Sequence, residues 1–71
     1  MIWFYAKQGQ HLRCEVRQVI DGDRFDLVIT DADGSEHVEH FQDSASVMRR
    51  TLQLETEWVR EGWDGPFGRE Y

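Results

Sequence analysis

Hydrophobic and polar residues alternate along two stretches in the first half of the chain. In HLRCEVRQVI, at residues 11–20, Leu12, Cys14 and Val16 fall on one side of an extended strand, and charged residues fall on the other. RFDLVIT, at residues 24–30, repeats this alternation. We therefore predict two strands that share one apolar face and one charged face.

Two further strands are predicted around this pair. IWFYAK, at residues 2–7, is apolar on both faces, because Trp3 and Tyr5 alternate with other apolar residues. KQGQ and DGD each contain a glycine between strands, which predicts hairpins. TDADGSE predicts a type I turn that closes at Gly34 and leads into a fourth strand at residues 35–41. The four strands are predicted to form an antiparallel meander.

The apolar spacing changes to about 3.6 residues at residues 43–61, which predicts a helix. Asp43 or Ser44 is a suitable N-cap, because its side chain can accept from amides of the first turn. A glycine follows the helix and can adopt the left-handed conformation that ends it, so that Trp63 packs back on Trp58.

Apolar residues cover nearly half of the circumference of this helix. Two adjacent stripes make up the arc: Val47, Thr51, Leu54 and Trp58 form one, and Ala45, Met48, Leu52 and Val59 form the other. One side of a small sheet covers less than this arc. Glu55 lies within it and has two interpretations: a carboxylate that pairs with an arginine at the edge of the interface, or a buried acid that lines a pocket.

Length and charge limit the function classes. The chain has 71 residues, enough for one domain, with a net charge of -6. Residues 25–46 contain six acidic residues and no Lys or Arg, which disfavours binding of nucleic acid through its phosphates. The N-terminus has no basic leader, no segment is long enough to span a membrane, and the single cysteine excludes an internal disulfide. We expect a cytoplasmic protein without membrane contact.

The stretch TDADGSEHVEHF, at residues 30–41, contains residue types that bind metals. An EF-hand loop would need acids where Ile29 and His40 stand, together with a helix on each side. His37 and His40 are three residues apart on a predicted strand, so they point to opposite faces. We expect a hairpin here, with no metal and no cofactor.

Catalysis is also not expected. Cys14 and His11 are the nearest approach to a nucleophile and a base, but three residues apart on a strand they too point to opposite faces. Cys14 lies on the predicted buried side, where thiols usually serve packing.

The C-terminal segment GWDGPFGREY, at residues 62–71, is unusually aromatic for a tail. Its large side chains, Trp63, Phe67 and Tyr71 among them, should be covered, because burying one is worth about 1.5 to 3 kcal/mol. Two alternatives are open: the tail folds back over its own domain, or it docks on another chain. The two-faced apolar first strand and the wide helix arc favour a homodimer slightly.

Three motifs support a resemblance over nearly the whole chain: LRCEVR, RFDLVITDADGSEHVEHF and GWDGPFG. The chain resembles short bacterial proteins that combine an Arg-Cys-Glu strand, an Asp-Gly-Ser-Glu hairpin, a helix and a Gly-Trp tail. The resemblance implies a bacterial source. It implies no activity, and no functional residue follows from it.

The sequence predicts an α+β domain spanning residues 1–71, with a meander of three to four strands and one C-terminal helix packed on the sheet's apolar face. The predicted function is non-catalytic protein binding as a homodimer. The predicted partner-binding residues are Trp3, Tyr5, Trp58, Trp63, Phe67 and Tyr71. The alternative is binding of single-stranded nucleic acid on the exposed sheet face, with Trp3 and Tyr5 stacking beside Arg13 and Arg17.

Overall fold

The structure is a computed structural model, and it describes residues 1–19, 22 and 24–68. Five strands form one antiparallel sheet in the order β4-β3-β2-β1-β5, with one helix against it. The elements are β1 (Ile2–Lys7), β2 (Gln10–Gln18), β3 (Phe25–Thr30), β4 (Glu36–Phe41), α1 (Ser44–Arg60) and β5 (Asp64–Phe67). The predicted α+β meander is confirmed.

A two-residue turn sets the register of the first hairpin. Gln8 and Gly9 have φ of 51° and 78°, the left-handed pair that suits a tight hairpin. The turn places Trp3 opposite Cys14 and Tyr5 opposite Leu12. Because directly opposed residues lie on one face of a sheet, these side chains all point toward the helix.

The TDADGSE turn has the predicted form. The Gly34 amide donates to the Asp31 carbonyl at 2.9 Å, and the Asp31 amide donates to the Ser35 carbonyl at 2.8 Å. Gly34 has φ of 89°. Strands β2 and β3 are also adjacent and antiparallel, although residue 20 at the end of the predicted strand and residues 21 and 23 of the predicted DGD turn lie outside the described residues.

Both ends of the helix are capped as predicted. The Asp43 carboxylate accepts from the Ser46 amide at 2.7 Å, and this hydrogen bond keeps the pKa of Asp43 below its usual value. At the other end the Trp63 amide donates to the Trp58 carbonyl at 2.9 Å, and φ of Gly62 is 99°.

The core lies between the helix and one face of the sheet. Its buried apolar residues are Trp3, Tyr5, Leu12, Cys14, Leu27, Val47 and Leu54. Val28 is also buried, at 3% exposure, but its position in β3 places it on the opposite face, which we call the outer face. Within the described residues, no helix is long and apolar enough to cross a membrane.

The fifth strand is a difference from the prediction. Asp64–Phe67 pairs with β1, with Phe67 opposite Phe4 and Asp64 opposite Ala6. The glycine and proline in this segment disfavour a strand, so its sequence gave no indication of one. Of the two alternatives for the tail, residues 64–67 take the first and cover the chain's own first strand.

Candidate interaction surfaces

Two of the predicted partner-binding residues lie in the core. Trp3 and Tyr5 are 1% and 0% exposed, on the side of β1 that faces the helix. Arg13 pairs instead with Phe4, whose side chain lies on the outer face. The expectation that Trp3 and Tyr5 share a face with Arg13 and Arg17 is therefore wrong, and their burial removes them from any partner surface of this fold.

The remaining predicted partner residues are placed unequally. Trp58 is half-buried against Tyr5, and Trp63 is half-buried with the Lys7 ammonium 5.9 Å from its ring centroid. Lys7 also donates to the Glu61 carbonyl at the end of the helix. Phe67 is exposed, and Tyr71 lies outside the described residues.

One side of the helix presents an exposed apolar row, which we call the helix flank and define as Met48, Leu52 and Val59. Their side chains are 43%, 55% and 52% exposed. The other predicted stripe is the one that packs on the sheet: its Val47, Thr51 and Leu54 are buried. Periodicity predicted the arc, but only the packing separates its covered half from its exposed half.

On the outer face, two phenylalanines form an exposed cross-strand pair. Phe4 is 38% exposed and stands opposite Phe67, which is 52% exposed. On the other side of β1, Arg13 of β2 stands opposite Phe4. Glu15 accepts from Arg17 at 2.8 Å and lies 3.6 Å from Arg13, and these partners hold the pKa of Glu15 below its usual value.

Strand β4 at the edge of the sheet alternates acidic residues and histidines around Val38. His37 Nε2 and Glu39 Oε2 are 3.0 Å apart, and both side chains lie on the helix-facing side. His40 lies on the outer face with its Nδ1 2.7 Å from Asp26. The two histidines therefore point to opposite faces, as the sequence predicted. Val38 is 42% exposed.

An arginine of the helix anchors this strand. Arg50 donates to Glu39 with Nε at 2.8 Å and Nη2 at 3.0 Å, a bidentate pair. This guanidinium is the main reason that the pKa of Glu39 lies below its usual value. Arg50 lies about 160° around the helix from Met48, at 100° per residue, so the helix flank points away from β4.

The residues with possible chemistry are dispersed. His11 pairs with Ala6 on the outer face, whereas Cys14 is buried on the helix side, so the two cannot act together.

Asp33 accepts from the Ser35 amide and hydroxyl, which lowers the pKa of Asp33 within the turn. In the described part of the chain, no three His, Cys, Asp or Glu side chains are grouped as a metal site requires. Glu55 is half-buried on the helix, close to its flank.

No protein-family model, no curated protein and no solved structure matches this chain.

Proposed function

We propose that this chain is a small non-catalytic protein-interaction module that acts as a homodimer. The observation that supports binding most directly is the helix flank. Three large apolar side chains lie on one side of a helix whose other exposed residues are mostly polar or charged, and each is about half exposed. Exposed apolar residues that are contiguous, rather than scattered, are typical of protein-binding surfaces.

The spacing of the flank indicates how a partner would bind it. Met48 and Leu52 are four residues apart and Val59 is seven further on, so the three lie on one side of α1 across three turns. A groove in another protein recognises helices by apolar anchors at such spacings. Glu55 lies between Leu52 and Val59, so the partner's groove should be apolar with a cation near its centre.

A pair of matched variants tests the flank. Leu52→Glu places a carboxylate in the middle of the row, and Thr56→Glu adds the same charge at an exposed position about 40° further around the helix, beyond the row. Tagged protein of each kind would be used to capture partners from lysate of the source cells, with recovered protein quantified. The proposal expects one stoichiometric partner that Leu52→Glu loses and Thr56→Glu retains. Equal recovery by both variants would contradict it.

The absence of catalysis is part of the proposal. The buried thiol of Cys14 and the outer-face ring of His11 lie on opposite sides of the sheet. Nucleophilic catalysis needs the nucleophile and its base within hydrogen-bond reach. An iodoacetamide reaction of native Cys14 that is faster than that of a small thiol in solution would argue for an enzyme instead.

A second candidate, binding of single-stranded nucleic acid, is favoured by the exposed Phe4–Phe67 pair beside Arg13. Bases stack on such rings, and an adjacent cation can meet the phosphates. Against it, Glu15 contacts both Arg13 and Arg17 and so neutralises the nearest cations. Fluorescence polarisation of a labelled oligonucleotide decides the question: salt-sensitive binding that Phe4→Ala removes would support this candidate over ours.

A further inference from the structure

Strand β4 leaves one side of the sheet open. It is the last strand in the order, and among the described residues no strand pairs with the edge of β4 that faces away from β3. The other edge, β5, is only four residues long and contains Pro66, which has no amide hydrogen to donate. In the part of the chain that the structure describes, a six-residue strand with an unpaired edge is therefore available only at β4.

The turn before β4 determines which of its residues face this open side. Asp31 and Ser35 are joined by a backbone hydrogen bond, and antiparallel pairs alternate between bonded and non-bonded. Counting from that pair, His37 and Glu39 direct their backbone groups to β3. Glu36, Val38 and His40 direct theirs to the open edge.

We propose that β4 pairs antiparallel with β4 of a second copy, centred on Val38, and so joins two sheets into one of ten strands. This deepens the proposed function, because it gives the homodimer its interface. Val38 stands opposite Val38 of the other copy and forms a bonded pair. The Glu36 and His40 positions form the two bonded pairs beside it, for about six backbone hydrogen bonds in all.

Charge complementarity favours a second copy of this chain as the partner of the open edge of β4. The strand reads EHVEH at residues 36–40, so a symmetric antiparallel partner places each histidine opposite a glutamate. His37 meets Glu39 of the other copy on the helix side, and Glu36 meets His40 on the outer face. When the histidines are protonated, each of these contacts is an ion pair, which is favourable directly across two strands, whereas like charges there are unfavourable. Charged edge strands usually prevent pairing, but here the order of signs makes the edge complementary to itself.

Other registers lose this complementarity. A shift in one direction places Glu39 opposite Glu39, and a shift in the other places His37 opposite His37. A one-residue offset, such as His37 opposite His40 or Glu36 opposite Glu39, is excluded, because His37 and Glu39 direct their backbone groups to β3 and not to the open edge. Only the register centred on Val38 pairs all four charged positions with a complement.

The contacts within one chain leave room for these pairs. His40 uses Nδ1 toward Asp26, so in the protonated ring, which donates from both nitrogens, Nε2 remains to donate to Glu36 of the other copy. Glu39 is already held by Arg50 at both oxygens and lies 3.0 Å from Nε2 of its own His37. A carboxylate has further lone pairs, so Glu39 can also accept from Nδ1 of His37 of the other copy when that ring is protonated. Arg50 also fixes the strand in position, so little order is lost on pairing.

Cysteine cross-linking tests the register. Opposed Cα atoms in a bonded pair are about 5.5 Å apart, within the range of a disulfide, so Val38→Cys should cross-link to completion under mild oxidation. Glu36→Cys is the matched control, because its own copy in the partner stands more than about 13 Å away along the strand. The double variant Glu36→Cys with His40→Cys should cross-link again. Val38→Cys that stays monomeric under these conditions, or a single Glu36→Cys that cross-links equally, would overturn the proposal.

A charge variant gives an independent measurement. His37→Glu places like charges opposite each other at both symmetric sites, and we expect the dimer dissociation constant to rise about tenfold. His11→Glu makes the same change on the outer face of β2 and should leave the constant unchanged. An unchanged constant for His37→Glu would reject this interface. If the wild-type chain is dimeric but neither cysteine cross-linking nor His37→Glu gives the expected result, the homodimer is retained and the β4 interface is rejected. If the wild-type chain is monomeric, the proposed homodimer itself is rejected.

Discussion

The ring of Tyr5 meets the ring of Trp58 edge to face, with centroids 4.9 Å apart and ring planes at 61°. Tyr5 belongs to β1 inside the sheet, and Trp58 belongs to the last turns of the helix. The contact joins the two layers of the domain at the end where β5 is added. It also explains why Tyr5, which the sequence predicted to bind a partner, is buried in the core.

This contact should contribute measurably to stability. Trp58→Ala is expected to lower the free energy of unfolding by about 3 kcal/mol, because a large packed ring is removed. A double-mutant cycle with Tyr5→Leu should give a coupling energy of about 1 kcal/mol, the usual value for an edge-to-face pair. Urea denaturation of the four proteins provides both values. Additive effects of the two substitutions would show that the rings do not interact specifically.

Two leucines of the helix provide a matched test of the exposed flank. Leu54 is 8% exposed and Leu52 is 55% exposed, and they are two residues apart. Leu54→Ala should cost about 2 to 4 kcal/mol, whereas Leu52→Ala should change stability by less than about 0.5 kcal/mol. Thermal unfolding at a concentration that keeps the chain monomeric would compare them. Similar losses at both positions would mean that the flank is covered within one chain.

Glycine at position 65 is required by close packing of β5 on β1. A Cβ there would lie 2.8 Å from the Phe4 carbonyl oxygen and 2.8 Å from Tyr5 Cδ1. Gly9 also has positive φ, but a Cβ there meets nothing within 4 Å. Gly9→Ala should therefore cost about 1 kcal/mol from its backbone conformation alone, and Gly65→Ala a further 1 to 3 kcal/mol from overpacking. Equal losses in chemical denaturation would argue that β5 is not packed in this way.

The Glu39–Arg50 pair predicts a pH dependence. Because the pKa of Glu39 is lower in the folded chain, its contribution is complete above the unfolded value of about 4.3 and is lost as pH falls through the lower folded value. Glu39→Gln should cost about 1 kcal/mol at neutral pH and progressively less below pH 4. Urea midpoints measured across this range test it, with the exposed Glu61→Gln as control. A cost that stays constant into acid would contradict the assignment.

The fold followed from the sequence wherever a local rule was sufficient. Alternation identified the buried side of β2 through Leu12 and Cys14, and Gly34 and Asp43 marked a turn and a cap. Strand β5 could not be predicted in this way, because Gly65 and Pro66 are poor strand residues. They are part of a strand because their segment pairs with the edge of β1.

Which residues are exposed on the candidate surfaces depends on strand register and on how the helix packs, and the periodicity of the sequence determines neither. The register that turns Trp3 inward is set by the two-residue turn at Gln8 and Gly9, so the pairing of Trp3 with Cys14 was not visible in the strand alone. The helix pattern likewise shows two stripes of similar apolarity, and the position of the sheet decides that Leu54 is buried and Leu52 exposed.

Sedimentation equilibrium of the untagged wild-type chain over a wide range of concentrations tests the homodimer most directly. We predict a concentration-dependent rise from the mass of one chain to twice that mass, with no larger species, because each copy has one self-complementary edge. The mass of a single chain at every concentration up to the solubility limit would contradict the account.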